Sequence, residues 1–179
     1  MKAQGVLVWL TGFSGAGKST IAETALQQLQ ARGRLAYVLD GDRVRKGLCS
    51  DLGFSRDDRA ENVRRIAEAG LLMADAGVVV LAAVIAPFRL DRDRVRARAP
   101  RGRFLEVFVD TPLDVCEARD PKGLYKMARK GLLQDFTGID SPYEPPLHAE
   151  LVLRTTETDA LGLAQRLVDD IERRLSSSP

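Results

Sequence analysis

Gly12, Phe13, Ser14, Gly15, Ala16, Gly17, Lys18 and Ser19 stand in the order G-x-x-x-x-G-K-[ST], and few short patterns constrain a fold as tightly. The glycines let the backbone curl until its N–H groups point inward at phosphate oxygens. A helix opening at the end of the pattern adds the positive end of its dipole. The pattern carries weight only between a strand and a helix, and both flank it here. Val6 to Leu10 is an unbroken apolar run of strand length. After the turn, Ile21, Ala25, Leu26 and Leu29 recur at helical spacing, and Gly33 is the natural stop. The reading is a P-loop for a nucleoside triphosphate, ATP, with Mg²⁺. Lys18 is expected to bridge the β- and γ-phosphates and Ser19 to ligate the metal.

The remaining apolar runs extend the pattern. Leu35–Leu39, Val78–Val84, Phe104–Val109 and Leu151–Leu153 read as four more strands, apolar on both faces and separated by helical stretches. That implies an α/β fold of the P-loop NTPase type, a five-stranded parallel sheet with helices on both faces. Ser55, with Asp58 three residues on, caps a helix through Val63, Ile66 and Met73 to Gly77. Thr111 before Pro112 reads as a cap followed by proline at the first helical position. A last helix is expected from Asp159, with Leu163, Leu167, Val168, Ile171 and Leu175 on one side. From Pro121 to Pro146 the periodicity weakens, and residues 121–140 read as a mobile lid. Residues 176–179 read as a disordered tail.

A chain of 179 residues, 45% hydrophobic, fits one such domain, residues 1–179. Its net charge of +2, with acids and bases interleaved, is weak for a nucleic-acid binder. Cys49 and Cys116 lack metal-ligand spacing and read as reduced thiols. No run approaches the ~18 apolar residues of a membrane span, and Met1 to Gln4 is too short for a signal peptide. The expectation is a cytoplasmic protein without membrane or nucleic-acid partners.

Which P-loop protein it is depends on the acids. The third strand runs into Ile85, Ala86 and Pro87 with no acid, unlike motor ATPases and GTPases, and no guanine-reading Asn-Lys-x-Asp occurs. Acids close the second strand instead, as Asp40 and Asp42. In an extended segment, residues two apart share a face, so both carboxylates can look into the crevice beyond the strand ends. One can support Mg²⁺ and the other can take a proton from an attacking hydroxyl. Arg43, Arg45, Lys46, Arg59 and Arg65 with Asn62 form a basic segment suited to phosphate or sulfate oxygens or to a solvated helix face. Phe54 and Phe136 fall outside the apolar pattern and can either sandwich a flat base or anchor their loops. His148 reads as a surface histidine and Trp9 as packing.

Six stretches then become recognisable: DGDRVRKGL from Asp40, DLGFS from Asp51, DRAENVRRIAE from Asp58, FVDTPL from Phe108, CEARDPKGLY from Cys116 and FTGIDSPYE from Phe136. Together they resemble the adenylyl-sulfate kinases over roughly Val6 to Thr155. The resemblance implies transfer of a phosphoryl group from ATP to the 3′-hydroxyl of adenosine 5′-phosphosulfate, a step of sulfate activation. It implies Lys18, Asp42 and Asp40 as catalytic residues, and Ser19 and Asp40 as Mg²⁺ ligands, directly or through water. ATP would meet residues 12–19, Thr20, Arg119 and Thr155. Adenosine phosphosulfate would meet Asp42, Arg45, Phe54, Arg59, Asn62, Ile85, Ala86, Lys122, Asp135 and Phe136. A homodimer and an ATP sulfurylase are the partners it implies.

Four departures from the family pattern stand out. Arg43 replaces a frequent Asn, and Gln134 with Asp135 replaces a frequent Lys-Gly. An N-terminal arm is nearly absent. Ala86 replaces a frequent Ser, which in some members is assigned as a phosphorylated intermediate. Two other readings stay open from the residues: a kinase of this fold acting on another nucleotide or a sugar, and a non-catalytic nucleotide-sensing domain.

Overall fold

The computed structural model describes residues 5–176. Val6–Thr11 forms β1, Ala36–Asp40 β2, Val79–Ala83 β3, Phe104–Asp110 β4 and Leu151–Arg154 β5. All pair in parallel, in the order β2-β3-β1-β4-β5. Parallel neighbours need crossovers, and the helices supply them: α1 (Lys18–Ala31), α2 (Gly41–Arg45), α3 (Arg56–Asp75), α4 (Arg89–Arg98), α5 (Leu113–Arg119) and α6 (Leu124–Arg129), with α7 (Ala160–Ser176) last.

Side chains alternate across each strand, so β1 feeds two cores. Val6, Val8 and Leu10 pack with Ile21, Ala25 and Leu29 of α1 and with Leu163, Leu167 and Ile171 of α7. Leu7 and Trp9 pack on the other face with Val63, Ile66 and Ala67 of α3 and Val95 of α4. Trp9 is wholly buried, as packing requires. Helix α3 lies tight on the sheet: a Cβ on Gly70 would come within 2.7 Å of Leu7 Cδ1.

Each expected strand is present within a residue or two. Ser55 caps α3 by accepting from the Asp58 N–H. Asp159 accepts from the Gly162 N–H at the start of α7. Several expectations need correction. Helix α4 was not foreseen, because RLDRDRVRAR holds only three apolar side chains, Leu90, Val95 and Ala97, in ten residues. Thr111 does not cap α5. Its hydroxyl donates to Ala16 O at 2.9 Å, and Pro112 takes the cap position. Residues 121–140, read as a mobile lid, contribute to the core: α6 lies within them, and Tyr125, Ala128 and Phe136 are buried with α1 and α7. Ser176 closes α7, and the rest of the expected tail, 177–179, lies outside the described residues. Cys49 and Cys116 are free and buried. His148 is exposed. No helix among the described residues is long and apolar enough to cross a membrane.

Candidate active site

The carboxyl ends of β1, β2 and β3 open into a cavity of about 710 Å³, lined by the P-loop, α2, the start of α3, residues 83–87, residues 119–124, residues 133–137 and the start of α7. Strand order reverses around β1, and an open sheet of this kind places its ligand crevice at that point.

The P-loop forms because glycine allows two unusual features. A Cβ on Gly12 would meet Val109 O at 2.6 Å, and Gly17 holds φ +105° where α1 begins. Lys18 is only 8% exposed, and its ammonium donates to Gly12 O at 2.9 Å and Phe13 O at 2.6 Å. Burial lowers its pKa to about 8. A buried ammonium held by two neutral carbonyls favours an incoming anion. Gly12 and Phe13 do not line the cavity. Phe13 packs on the Tyr143 ring at 4.8 Å instead.

Asp40 and Asp42 both line the cavity, but not through an extended pair. Asp40 ends β2 and caps α2, with Oδ1 accepting from the Asp42 and Arg43 N–H groups. Its Oδ2 accepts from Ser19 Oγ at 2.6 Å. Asp42 sits in the first turn of α2 and pairs with Lys122. Ser19 and Asp40 therefore offer two adjacent hard oxygens beside the P-loop. Among the described residues no group of three His, Cys, Asp or Glu can cage a metal. Two oxygens without a cage suit Mg²⁺, which keeps waters and takes further ligands from phosphates.

On the α3 side, Arg45 and Arg59 enter the cavity, their guanidiniums near the exposed Phe54 ring, at 4.4 and 5.9 Å from its centroid. Arg45 donates to Gly53 O, and Arg59 to Phe54 O, Thr137 Oγ1 and Asp135 O. Burial lowers the pKa of both, and the Arg45 charge adds to the effect on Arg59. Neither forms an ion pair among the described residues, so two cations face the cavity with only neutral hydrogen-bond partners. Asn62 Oδ1 is buried there without a hydrogen-bond partner. Arg65 was grouped with these on sequence but points elsewhere, pairing with Asp51 and Glu61. Arg43 lies over Tyr37, and neither it nor Lys46 lines the cavity.

The opposite wall is Ile85, Ala86 and Pro87, with Ala86 at φ +43°. Their three carbonyls are held by three separate elements. Thr11 Oγ1 donates to Ile85 O at 2.5 Å, Arg92 Nη1 to Ala86 O at 2.6 Å, and the Glu144 N–H to Pro87 O at 2.8 Å. Phe136 lines the cavity although it is buried. It sits edge-on to Tyr125 at 4.9 Å, so it both anchors its loop and faces the site. Asp135, at φ +55°, also lines the cavity, and Asp140 accepts from the Asp135 and Phe136 N–H groups. At the far end, Arg119 and Thr155 border the P-loop, and Thr155 Oγ1 lies 2.6 Å from Thr111 Oγ1.

The structure thus gathers Ser14 to Thr20 and every other expected site residue except Gly12 and Phe13. Sequence reasoning missed Thr137 and Thr158, which line the cavity, and Tyr125, which lies behind it with its hydroxyl on Ser14 O. Thr137 and Tyr125 stand inside the FTG and KGLY stretches, the only sequence signal for them. Thr158 carried none.

The adenylylsulphate kinase family model matches residues 4–154. An adenylyl-sulfate kinase of Shewanella amazonensis is 56% identical over 166 residues, covering 93% of this chain and 84% of the relative. Adenylyl-sulfate kinase 1, chloroplastic, of Arabidopsis thaliana is 52% identical over 172 residues. That alignment covers 96% of this chain, which spans only 62% of the plant protein's length. Among solved structures, the Mycobacterium tuberculosis APS kinase CysC in complex with AMPPNP and APS superposes with a TM-score of 0.90 at 46% identity, covering 95% of this chain and 99% of that one.

Proposed function

This chain belongs to the adenylylsulphate kinase family, and from that premise we infer that it uses ATP to phosphorylate the 3′-hydroxyl of adenosine 5′-phosphosulfate. The products are ADP and 3′-phosphoadenosine 5′-phosphosulfate. One observation carries the reading. A single cavity joins a P-loop with its lysine to two cations without acid partners and two phenylalanines. A nucleotide donor and a second, anionic, aromatic acceptor fit those two ends. A sugar acceptor would leave Arg45, Arg59 and Phe54 without work, and a silent sensor would not need Lys18, Ser19 and Asp42 together.

In this reading the P-loop N–H groups from Ser14 to Thr20 hold the ATP phosphates. Lys18 leaves the Gly12 and Phe13 carbonyls for the β- and γ-phosphates. Arg119 and Thr155 border the ATP base and ribose. Ser19 and Asp40 hold Mg²⁺, which when bound neutralises charge on the phosphates. At the acceptor end, Phe54 and Phe136 flank the adenine. Arg45, Arg59 and Asn62 take the phosphosulfate and ribose, and Ile85, Ala86 and Asp135 complete the wall. Asp42 accepts the 3′-hydroxyl proton as that oxygen bonds to the γ-phosphorus and the bond to the β-bridging oxygen breaks. Lys122 shifts from Asp42 toward the transferring group. Ala86 has no hydroxyl to carry a phosphoryl group, so transfer is direct and in line, by positioning and electrostatics. Residues 130–140, the part of the expected 121–140 lid that lies beyond α6, close over both nucleotides and exclude water. Family membership extends the proposal to a homodimer and to cooperation with an ATP sulfurylase.

The test is product formation from ATP with adenosine 5′-phosphosulfate, AMP, gluconate and no acceptor, run side by side. Activity is expected with the first alone. Equal turnover with AMP or gluconate would overturn the acceptor assignment. Retention of configuration at a chiral γ-phosphate would overturn direct transfer.

A further inference from the structure

Each P-loop carbonyl from Gly12 to Ala16 has a donor, and the two on Lys18 are the ones it gives up when phosphates arrive. Lys18 takes Gly12 O and Phe13 O, and Thr111 takes Ala16 O. Arg119 approaches Gly15 O at 3.4 Å. Ser14 O accepts from Tyr125 Oη at 2.9 Å. Thr111 follows β4 and Arg119 ends α5, both outside residues 121–140. Tyr125 lies on α6 within that segment.

The other end of Tyr125 touches the acceptor side. Its ring stands edge-on to Phe136, centroids 4.9 Å apart and planes at 86°. Tyr125 is 1% exposed, and Asp120 anchors the start of its helix by accepting from the Tyr125 and Lys126 N–H groups. A tyrosine has two side-chain torsions, so a ring locked by packing fixes where its hydroxyl points. A shift of the Ser14 peptide is thereby a shift of the surface on which Phe136 rests. Burial raises the phenol's pKa well above its ordinary value, so the hydroxyl stays a donor at working pH.

We propose that Tyr125 is a positioning residue that couples the two substrate sites: its hydroxyl on Ser14 O and its ring on Phe136 make nucleotide binding in the P-loop and acceptor binding against Phe136 favour one another. This rests on the adenosine phosphosulfate reading of the Phe54–Phe136 end. A coupling of this kind is reciprocal and measurable as the ratio of one ligand's affinity with and without the other.

The experiment is calorimetric titration of the intact chain with Mg·AMP-PNP, with adenosine 5′-phosphosulfate, and with each in the presence of the other. Wild type is expected to show mutual tightening of about 5-fold or more. Tyr125→Phe keeps the ring and loses only the hydroxyl. It should bring the coupling close to unity while each ligand alone binds within about 3-fold of wild type. Tyr125→Leu, which loses the ring as well, should abolish coupling and weaken acceptor binding itself. A role in packing alone would lower the melting temperature and leave the ratio untouched. Wild-type coupling retained in Tyr125→Phe, or absent from wild type, would overturn the proposal with the kinase reading intact. Failure of wild type to bind adenosine phosphosulfate under any condition would remove the acceptor reading and this proposal together.

Discussion

Arg92 is the side chain whose loss the fold should feel most. It is 1% exposed, and each arm of its guanidinium has a partner: Nε donates to Glu106 Oε1 at 2.8 Å, Nη1 to Ala86 O and Nη2 to Glu144 O, both at 2.6 Å. Arg92→Met fits the space but leaves a buried carboxylate short of its partner. Such losses run to about 3–5 kcal/mol. The lower end applies here, because Arg96 Nη2 stays 3.1 Å from the other Glu106 oxygen. Two carbonyls also lose their donor, at about 1 kcal/mol each or somewhat more. The sum is about 5 kcal/mol, a large share of the roughly 5–15 kcal/mol that holds a domain together. Urea unfolding followed by circular dichroism should show a midpoint lower by about 2–5 M, from slopes of about 1–3 kcal/mol per M. Arg92→Met with Glu106→Leu removes the stranded charge as well and should recover at least about 2 kcal/mol. Arg92 also holds Ala86 at positive φ, so Arg92→Lys, the milder change, should raise acceptor KM more than it lowers kcat. A loss under about 1.5 kcal/mol in Arg92→Met, or a double variant no more stable than the single one, would refute the argument.

Lys18→Ala should lower kcat by about 10²–10³-fold or more in the coupled ADP assay, and near-wild-type turnover would rule out the P-loop role. Burial holds the Lys18 pKa near 8, below its unfolded value of 10.5, so between those values the unfolded chain keeps the proton that the folded chain loses. Stability from this group therefore rises with pH across that window. Bound phosphates restore the charge, so Mg·AMP-PNP binding above pH 8 should take up protons. Calorimetry in buffers of different ionisation heat reads that uptake, and release instead of uptake would contradict it. Asp42→Asn should collapse kcat and leave acceptor binding mostly intact, since the amide keeps the shape without the basicity; preserved kcat with weak acceptor binding would make Asp42 a positioning group. Hydrogen exchange should show residues 130–140 gaining protection when both nucleotides bind, whereas α6, with Tyr125 and Ala128 buried, should be protected throughout. Equal protection of 130–140 in both states would count against a closing lid.

Much of this protein is legible in its sequence. The five strands follow from apolar runs bounded by polar turns, and α3 from Ser55 and Asp58. The P-loop follows from glycines that only a tight turn between strand and helix requires. Those signals are local: each depends on residues within a few positions of one another. Where local signals were weak or conflicting, sequence reading failed. The Asp40–Asp42 segment reads as extended, but β2 ends at Asp40, whose carboxylate caps α2 by accepting from the Asp42 N–H. Helix α4 is nearly all charge, and it is held by Arg92 reaching Glu106 on β4 and the Glu144 carbonyl, partners 14 and 52 residues away. Phe136 as core and cavity wall at once, Thr111 behind the P-loop, and Tyr125 between Ser14 and Phe136 likewise exist only once distant segments meet. Spacing along the chain determined which groups are present. Packing of α6 and the residue 85–87 wall against the sheet decided which of them face one another, because those contacts join parts of the chain that no short pattern spans.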